Sequence, residues 1–236
     1  MKPESSKHQR DYYFESIGDD FDKWMSDYDV CRRISLIRRH VRNRALDKSC
    51  FEVGCGTGKI SEALRGCVGT LTVSDISETL ARSVGERLGV SWSQQNACAL
   101  NIPDHSFDVV ISSECIEHVP DPRKALQEMV RVLKPGGFLV VTSPNKLWYP
   151  VIWVSMATKL RRFTGRETWL FPMQAANTVK FAGLREVQLD GCHLFPWQIP
   201  LAKRCLPIFD SVGKLLYPFM INYCVTGSKP LSGGHD

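Results

Sequence analysis

The 236-residue sequence lacks features that would assign it to several protein classes. It has no C-x-x-C pair, its nine cysteines are scattered, and no apolar signal sequence follows Met1. The longest nearly uncharged apolar run, 147–157, is far shorter than the ~20 residues that span a bilayer. These absences disfavour a structural zinc site and a disulfide framework. They predict free thiols in a cytoplasmic protein that is soluble or associated with a membrane surface.

Length and composition predict a single α/β domain. A chain that is 43% hydrophobic can bury a sizeable core, and a net charge of +5 is modest. There is no internal repeat and no low-complexity tract. We therefore expect residues 1–10 to be a disordered tail and residues 11–236 to form one domain.

A glycine-rich turn at 54–58 organises the rest of the chain. Gly54, Gly56 and Gly58 follow an apolar strand pattern and precede a helix start at Lys59. Alternate glycines remove Cβ atoms, so backbone N–H groups and the positive end of the helix can approach a ligand. The alternative is an ordinary tight turn between a strand and a helix.

The glycine spacing separates the chemistries that use such turns. A phosphate loop needs four residues between its first Gly and its Gly-Lys, whereas three lie between Gly54 and Gly58. A dinucleotide fingerprint needs G-x-G-x-x-G, so the G-x-G-x-G spacing here disfavours an NAD-dependent oxidoreductase.

Strand and helix patterns alternate from residue 49 onward, which predicts a doubly wound, Rossmann-like parallel sheet with ligands at the carboxyl ends of its strands. The predicted strands are 49–53, 70–74, 90–94, 108–112, 138–143, 184–189 and 221–228. The predicted helices are 59–64, a helix capped by Ser77, a helix opening at Asp121-Pro122 that Pro135-Gly136-Gly137 ends, and 172–183.

Polar side chains follow two of these strands. Asp75 ends the second strand, where its carboxylate could accept hydrogen bonds from ribose hydroxyls or cap the next helix, although Ser77 is the better cap. Glu114, Glu117 and His118 place two carboxylates and an imidazole within five residues after the fourth strand. An imidazole there could act as a general base near neutral pH.

Three stretches carry a resemblance to one family. The pattern Glu52-x-Gly54-x-Gly56-x-Gly58 resembles motif I of class I S-adenosylmethionine (AdoMet) methyltransferases. The segment 113–122 resembles the S-E-x-x-E-H-V-P-D-P segment of the ubiquinone-biosynthesis O-methyltransferase branch of the type 11 family, and 133–137 is a further match. The resemblance implies AdoMet as cofactor and a seven-stranded, mostly parallel sheet whose last strand is antiparallel.

The resemblance also implies a set of cofactor-binding residues. Asn96 stands where many relatives carry Asp, and its amide oxygen would accept from the adenine amino group while the Ala97 backbone lies beside the ring. The full set is Glu52, Gly54, Cys55, Gly56, Gly58, Asp75, Ile76, Asn96, Ala97 and Glu114.

Three roles remain open for the segment around His118. In the branch that it resembles, Glu114, Glu117 and His118 would hold a divalent cation such as Mg²⁺, which could chelate a catechol-like acceptor. Without a metal, His118 and Glu117 would be the catalytic residues, with His118 as base. The third alternative is a structural role.

Amphipathic segments flank the predicted site. Residues 11–45 are predicted to be a helical lid that carries Tyr12 and Tyr13, and its arginine-rich face is either solvated or contacts an anionic surface. Insertions at 146–170 and 195–219 carry apolar stripes at helical spacing, and we expect Trp148 and Trp153 to cover the substrate. These insertions could line a deep apolar pocket, contact a bilayer as in the branch resembled, or do both.

The sequence therefore predicts an AdoMet-dependent methyltransferase that acts on an oxygen of a hydrophobic or lipid-linked small molecule, for example a quinone-like or phenolic acceptor. A natural product, a sugar or a phospholipid head group is an alternative acceptor. A non-catalytic protein of the same fold that docks on a membrane or partner is the alternative from another class. Nucleic acid is not expected, because no aromatic residues interleave with the clustered arginines. The oligomeric state is left open.

Overall fold

A computed structural model of the protein describes residues 26–42, 44–151, 167–196 and 202–231. Within these ranges, seven strands form one sheet in the order β3-β2-β1-β4-β5-β7-β6. The strands are β1 Ser49–Val53, β2 Thr70–Asp75, β3 Ser91–Gln94, β4 Phe107–Ser113, β5 Leu133–Pro144, β6 Arg185–Cys192 and β7 Asn222–Ser228. β1 to β5 pair in parallel, whereas β7 is antiparallel to both of its neighbours. The predicted fold class is confirmed.

Helices cover both faces of this sheet. They are α1 Asp27–Val41, α2 Lys59–Leu64, α3 Glu78–Leu88, α4 Pro122–Arg131, α5 Pro172–Phe181, α6 Ala202–Ser211 and α7 Gly213–Leu216. Short 3-10 turns lie at Ile116–His118, Lys146–Trp148 and Tyr217–Phe219. One apolar core, centred on Phe51 and Met129, packs below α4 and α5, and a second, centred on Ile37 and Val73, packs below α1 and α3. The central strands are buried on both faces, which is why their sequences read as continuous apolar runs.

The Pro135-Gly136-Gly137 segment lies inside a strand, so the prediction that it ends a helix is wrong. Helix α4 stops at Arg131, and Leu133 already pairs with Phe107. Gly136 adopts φ +77°, and its N–H donates to the carbonyl of Lys229, which leaves an irregularity in the register of the strand. The Pro135-Gly136-Gly137 sequence therefore marks a β-bulge in β5 rather than a loop after α4.

The base of β4 carries an ionised carboxylate that we expect to contribute to stability. Burial opposes ionisation of Asp108, but hydrogen bonds from Ser49 and Lys134, the latter 3.0 Å away, lower its pKa to about 2. A depressed pKa stabilises the fold above the unfolded value of about 3.9, and that contribution is lost as the pH falls towards 2. Asp108→Asn should therefore destabilise the protein at pH 7, and the difference from wild type should shrink between pH 4 and pH 2. Urea unfolding across this range measures it, and a constant difference would contradict the assignment.

Helix α1 buries Arg33 and half-buries Arg32 of its arginine-rich face, whereas Arg38, Arg39 and Arg42 stay exposed. Arg32 pairs with Asp210 at 2.6 Å, Arg33 is only 5% exposed, and the Arg44 guanidinium lies 4.5 Å from the Phe138 ring centroid. Arg38 donates to the carbonyl of Ala63. Arg32 and Arg33 attach the first half of the helix to the domain, whereas the exposed arginines that follow are either solvated or free to contact an anionic surface.

The described part of the second insertion forms the short helices α6 and α7 and a 3-10 turn, and most of its predicted apolar stripe is exposed. Leu206 and Asp210 of α6 are buried, whereas Ile208, Leu215 and Phe219 of the predicted stripe are exposed by 69%, 77% and 60%. The first insertion is described only at its two ends, so most of its predicted helix lies outside the described residues. Among the described helices, none has the length and apolar character needed to span a membrane.

Candidate functional site

The glycine turn between β1 and α2 forms the centre of the candidate site. Gly54, Gly56 and Gly58 have φ angles of +77°, +51° and +86°, a region that L side chains rarely adopt. A Cβ at Gly54 would collide with the Cys115 side chain, and one at Gly58 would lie 2.8 Å from Val84. A Cβ at Gly56 would meet no protein atom within 4 Å. Of the three glycines, Gly56 alone faces open space, where its backbone can contact a ligand.

Asp75 holds this turn against helix α3. Its carboxylate accepts hydrogen bonds from the N–H of Gly56 at 2.9 Å and from the N–H of Ser77 at 3.0 Å. Burial raises the pKa of Asp75 above its ordinary value, although these backbone amides oppose the shift. Ser77 itself caps α3, because its hydroxyl accepts the N–H of Leu80. Asp75 therefore braces the turn, and its contact with ribose stays a prediction.

Glu52 lies below the turn on the buried end of β1. Burial raises the pKa of Glu52, a hydrogen bond with Ser61 opposes the shift, and the nearby Asp75 carboxylate adds to it. The resulting pKa of Glu52 is about 8. Glu52 is 1% exposed. A carboxyl with this environment holds a proton near neutral pH unless a cation approaches it.

The predicted adenine-contacting loop is built around a local turn. The side-chain oxygen of Asn96 accepts the N–H of Cys98 at 2.9 Å, and the N–H of Ala99 donates to the Asn96 carbonyl. Ala97 is buried, and the carbonyl of Ile76 accepts a hydrogen bond from Gln94. Asn and Asp both make this kind of turn, so Asn96 is compatible with a loop in which the resemblance leads us to expect Asp.

Glu114 adopts the left-handed region, with φ +52°, directly after β4. Its carboxyl accepts hydrogen bonds from the Thr142 hydroxyl at 3.1 Å and from the Asn222 amide at 2.8 Å. Burial raises the pKa of Glu114 and the Arg33 guanidinium opposes the shift, so that the resulting pKa is about 7. Non-glycine residues rarely adopt a positive φ, and such strain is often found at functional sites.

Arg33 is a buried cation beside Glu114. The sequence had predicted that this arginine belongs to an exposed helix face. Its guanidinium pairs with Asp29 at 2.8 Å and reaches the Ser113 hydroxyl at 3.4 Å. The other side of Asp29 lies 3.1 Å from Nε2 of the buried His193. The spacing of Asp29 and Arg33 at i and i+4 on an otherwise apolar helix face was a signal of a buried pair.

Two carboxylates face the imidazole of His118. Glu117 Oε1 lies 3.8 Å from Nε2, and Glu167 Oε1 lies 3.9 Å from Nδ1. Burial raises the pKa of Glu117 well above its ordinary value, as does the nearby Glu114. Glu167 belongs to the returning end of the first insertion, which is held here because the N–H of Thr168 donates to the Glu117 carbonyl at 2.7 Å. No sequence motif indicated Glu167.

The arrangement does not support the predicted divalent cation. Over the ranges that the structure describes, no group of three or more His, Cys, Asp or Glu side chains is placed to hold a metal ion. Glu114 is turned towards Thr142 and Asn222, and Glu117 accepts the Ser143 hydroxyl at 3.1 Å. Carboxyls with raised pKa values also favour a proton over a metal.

The predicted lid residues are only partly described. Tyr12, Tyr13 and Trp153 lie outside the described residues. The Trp148 indole N–H donates to the carbonyl of Phe219 at 2.9 Å, so this side chain joins the start of the first insertion to the end of the second.

Comparison with known proteins agrees with this geometry. Residues 51–141 match the family model described as a methyltransferase domain. These residues form a methyltransferase domain, and the methyltransferase relatives support an AdoMet-dependent enzyme. It is 28% identical over 160 residues to a ubiquinone biosynthesis O-methyltransferase of Coxiella burnetii, covering 63% of this chain and 68% of that one. It is 31% identical over 151 residues to a ubiquinone/menaquinone biosynthesis C-methyltransferase of Hydrogenovibrio crunogenus, covering 56% and 59%.

The methyltransferase fold is shared with solved structures of low sequence identity. A Thermotoga maritima protein described as a SAM-dependent methyltransferase, possible histamine N-methyltransferase, superposes with a TM-score of 0.67 at 18% identity, over 93% of this chain and 99% of that one. At this identity the likeness shows the fold alone. The two relatives by sequence methylate oxygen and carbon respectively, so relatedness does not choose the acceptor atom in this methyltransferase.

Proposed function

We propose that this methyltransferase moves the methyl group of AdoMet to an oxygen of a hydrophobic or lipid-linked small molecule, such as a phenolic or quinone-like acceptor. The cofactor site is supported by the open space at Gly56 and by the acids at the ends of β1, β2 and β4, of which Glu52 and Asp75 are buried and Glu114 is half-buried. A hydrophobic acceptor is supported by an exposed apolar surface at the same end of the sheet.

The charges around the turn fit AdoMet. The cofactor carries a sulfonium, an ammonium and a carboxylate, and when bound it supplies a methyl group already activated by the sulfonium. Glu52, Asp75 and Glu114 would stabilise the two cationic groups, since buried carboxyls gain most from a nearby cation. Arg33, the buried cation beside Glu114, would pair with the carboxylate.

His118 is the residue that we assign to proton removal. Its imidazole is 16% exposed and therefore accessible to solvent, and the imidazolium that forms would favour the ionised forms of Glu117 and Glu167, which would stabilise it in turn. Proton removal and alignment of the acceptor are the tasks left to the protein, because the methyl group needs no further activation.

An apolar surface patch lies where the two insertions meet, and it favours a hydrophobic acceptor. We define it as Leu147, Phe171, Met173, Leu215 and Phe219, all exposed. The segments that carry it are joined by the Trp148 to Phe219 hydrogen bond and by the Lys146 ammonium 5.6 Å from the Phe171 ring.

The patch follows β5 and precedes β7, so it borders the candidate site. We propose that it contacts a membrane surface from which the acceptor enters. Exposed Lys146, Lys203 and Lys214 accompany it and suit anionic head groups.

Cofactor binding is the first test. Isothermal titration should give saturable binding of AdoMet and of its product S-adenosylhomocysteine, in a ratio of one per chain. The absence of detectable binding for both would contradict the proposed function. Methylation is then scored by mass spectrometry as a gain of one methyl on long-chain phenols and anilines, with fragmentation locating the methyl group, and products methylated at carbon or nitrogen would overturn the oxygen assignment.

AdoMet binding should strengthen with pH. In the free protein Glu52 and Glu114 have pKa values of about 8 and about 7, so both hold a proton at pH 6. A cationic ligand favours the ionised carboxyls, and binding therefore releases protons. We expect the affinity to rise about threefold to tenfold between pH 6 and pH 8. Titrations in buffers of different ionisation enthalpy measure the release. The neutral analogue 5′-methylthioadenosine should show little pH dependence, and equal behaviour of the two ligands would count against these carboxyls.

The membrane contact is tested with vesicles. Leu215→Asp and Phe219→Asp should reduce co-sedimentation with anionic phosphatidylglycerol vesicles about tenfold or more, because each places a charge in the apolar contact. Leu46→Asp is the matched control, since Leu46 is 63% exposed but precedes β1 at the opposite end of the sheet. Equal loss in all three variants, or no vesicle binding by the wild type, would refute the membrane contact.

A further inference from the structure

A buried hydrogen-bond acceptor beside Glu114 is left without a donor. Asn222 opens β7 and is 4% exposed. Its side-chain oxygen has no hydrogen-bond partner among the described residues. Buried polar groups are nearly always paired, so an orphaned acceptor in a functional site calls for a ligand that supplies the missing donor.

The orientation of the Asn222 side-chain amide is fixed by its nitrogen. The Asn222 nitrogen donates to Glu114 Oε2 at 2.8 Å. With a cationic cofactor bound, Glu114 is expected to be ionised, and rotating the amide would then place its oxygen against a carboxylate oxygen, which is repulsive. Because nitrogen and oxygen share one carbon, the orphaned oxygen lies next to the Glu114 carboxyl.

The sheet order places Asn222 on the side of Glu114 away from the glycine turn. The turn and Asp75 belong to β1 and β2, whereas Asn222 belongs to β7, beyond β5. In the register, Asn222 pairs with Pro144 and with Cys192, at the edge that also carries the apolar surface patch. The unpaired oxygen is therefore separated from the predicted adenosine region by two strands.

We infer that Asn222 is a specificity-determining residue that accepts a hydrogen bond from a hydroxyl or amine of the methyl acceptor. The site should select acceptors that carry a hydrogen-bond donor and reject the corresponding ethers. This inference rests on the proposed function, because it assigns the acceptor side of the same site.

The experiment compares probes that differ only in the donor. The protein is saturated with S-adenosylhomocysteine, and the affinities of 4-octylphenol, 4-octylaniline and 4-octylanisole are measured by ligand-observed NMR. Wild type should bind the phenol or the aniline about tenfold more tightly than the anisole. The better of the two donors distinguishes a hydroxyl from an amine acceptor. Asn222→Leu should abolish the preference.

Thr142→Val provides the matched control. It also removes one donor to Glu114 but leaves the Asn222 oxygen in place, so it should keep the preference. Asn222→Ala serves as a second variant should the leucine impair folding, and unchanged binding of S-adenosylhomocysteine shows that the cofactor site is intact.

Three results would overturn the inference: equal affinity of wild type for all three probes, no binding of any, or equal loss in T142V and N222L. Failure of wild type to bind S-adenosylhomocysteine would instead contradict the proposed function.

Discussion

Gly56→Ala should weaken binding of AdoMet and S-adenosylhomocysteine about 100-fold while lowering the free energy of unfolding by only about 1–2 kcal/mol. The stability cost is that of an L residue in the left-handed region, since the new methyl group meets no protein atom within 4 Å. The binding cost arises because the methyl group occupies the space that the turn leaves open. Isothermal titration and urea unfolding measure the two effects separately.

Gly89→Ala is the matched control for this substitution. Gly89 has φ +63°, also faces open space, and ends helix α3 away from the turn. It should show the same loss of stability and no loss of binding. Cofactor affinity within threefold of wild type in Gly56→Ala would mean that the ligand does not approach the turn.

Arg33→Met should lower the free energy of unfolding by about 3–5 kcal/mol, the usual cost of removing one partner from a buried ion pair. The substitution leaves Asp29 without its 2.8 Å partner and removes the cation that favours ionisation of Glu114. Thermal and urea unfolding measure the loss. Any variant that folds should also bind S-adenosylhomocysteine more weakly, because the carboxylate of the ligand loses its proposed partner.

Arg87→Met is the control for Arg33→Met. Arg87 pairs with Glu62 at 3.4 Å and donates to the carbonyl of Thr57 at 2.7 Å, but its side chain is 45% exposed, so the change should cost less than about 1 kcal/mol and serves as a control for stability only. Similar losses for the two variants would show that Arg33 is not the buried partner that its geometry indicates. Arg33→Lys should recover part of the stability but little of the bidentate pairing.

The sequence predicted those parts of the fold that depend on local signals. Strand β1 and helix α2 have their predicted bounds, and Ser77 caps α3 as expected. The same local logic failed at Pro135-Gly136-Gly137, because pairing of Leu133 with Phe107 and of Gly136 with Lys229 draws a breaker sequence into β5. Tertiary hydrogen bonds decided that boundary.

The candidate site could be predicted where its residues belong to one contiguous motif. It could not be predicted where segments that are distant in the sequence come together. Gly56 and Asp75 were found because their spacing is characteristic. Arg33, Glu167 and Asn222 lie 80, 49 and 108 residues away in the sequence from the side chains that they face, and no periodicity relates them. The metal alternative is unsupported for a related reason, because the neighbours of Glu114 and Glu117 are supplied by β5 and β7.

The position of β7 has a consequence for the order of folding. The last strand in the sequence lies between β5 and β6, so β6 has no partner in the sheet until β7 inserts. Strands β1 to β5 leave the ribosome before β7, since the chain is made from its N-terminus. The glycine turn can thus form before β7 is available, whereas the Asn222 side of the site forms only after β7 has emerged. The proposed acceptor side is therefore completed after the cofactor side.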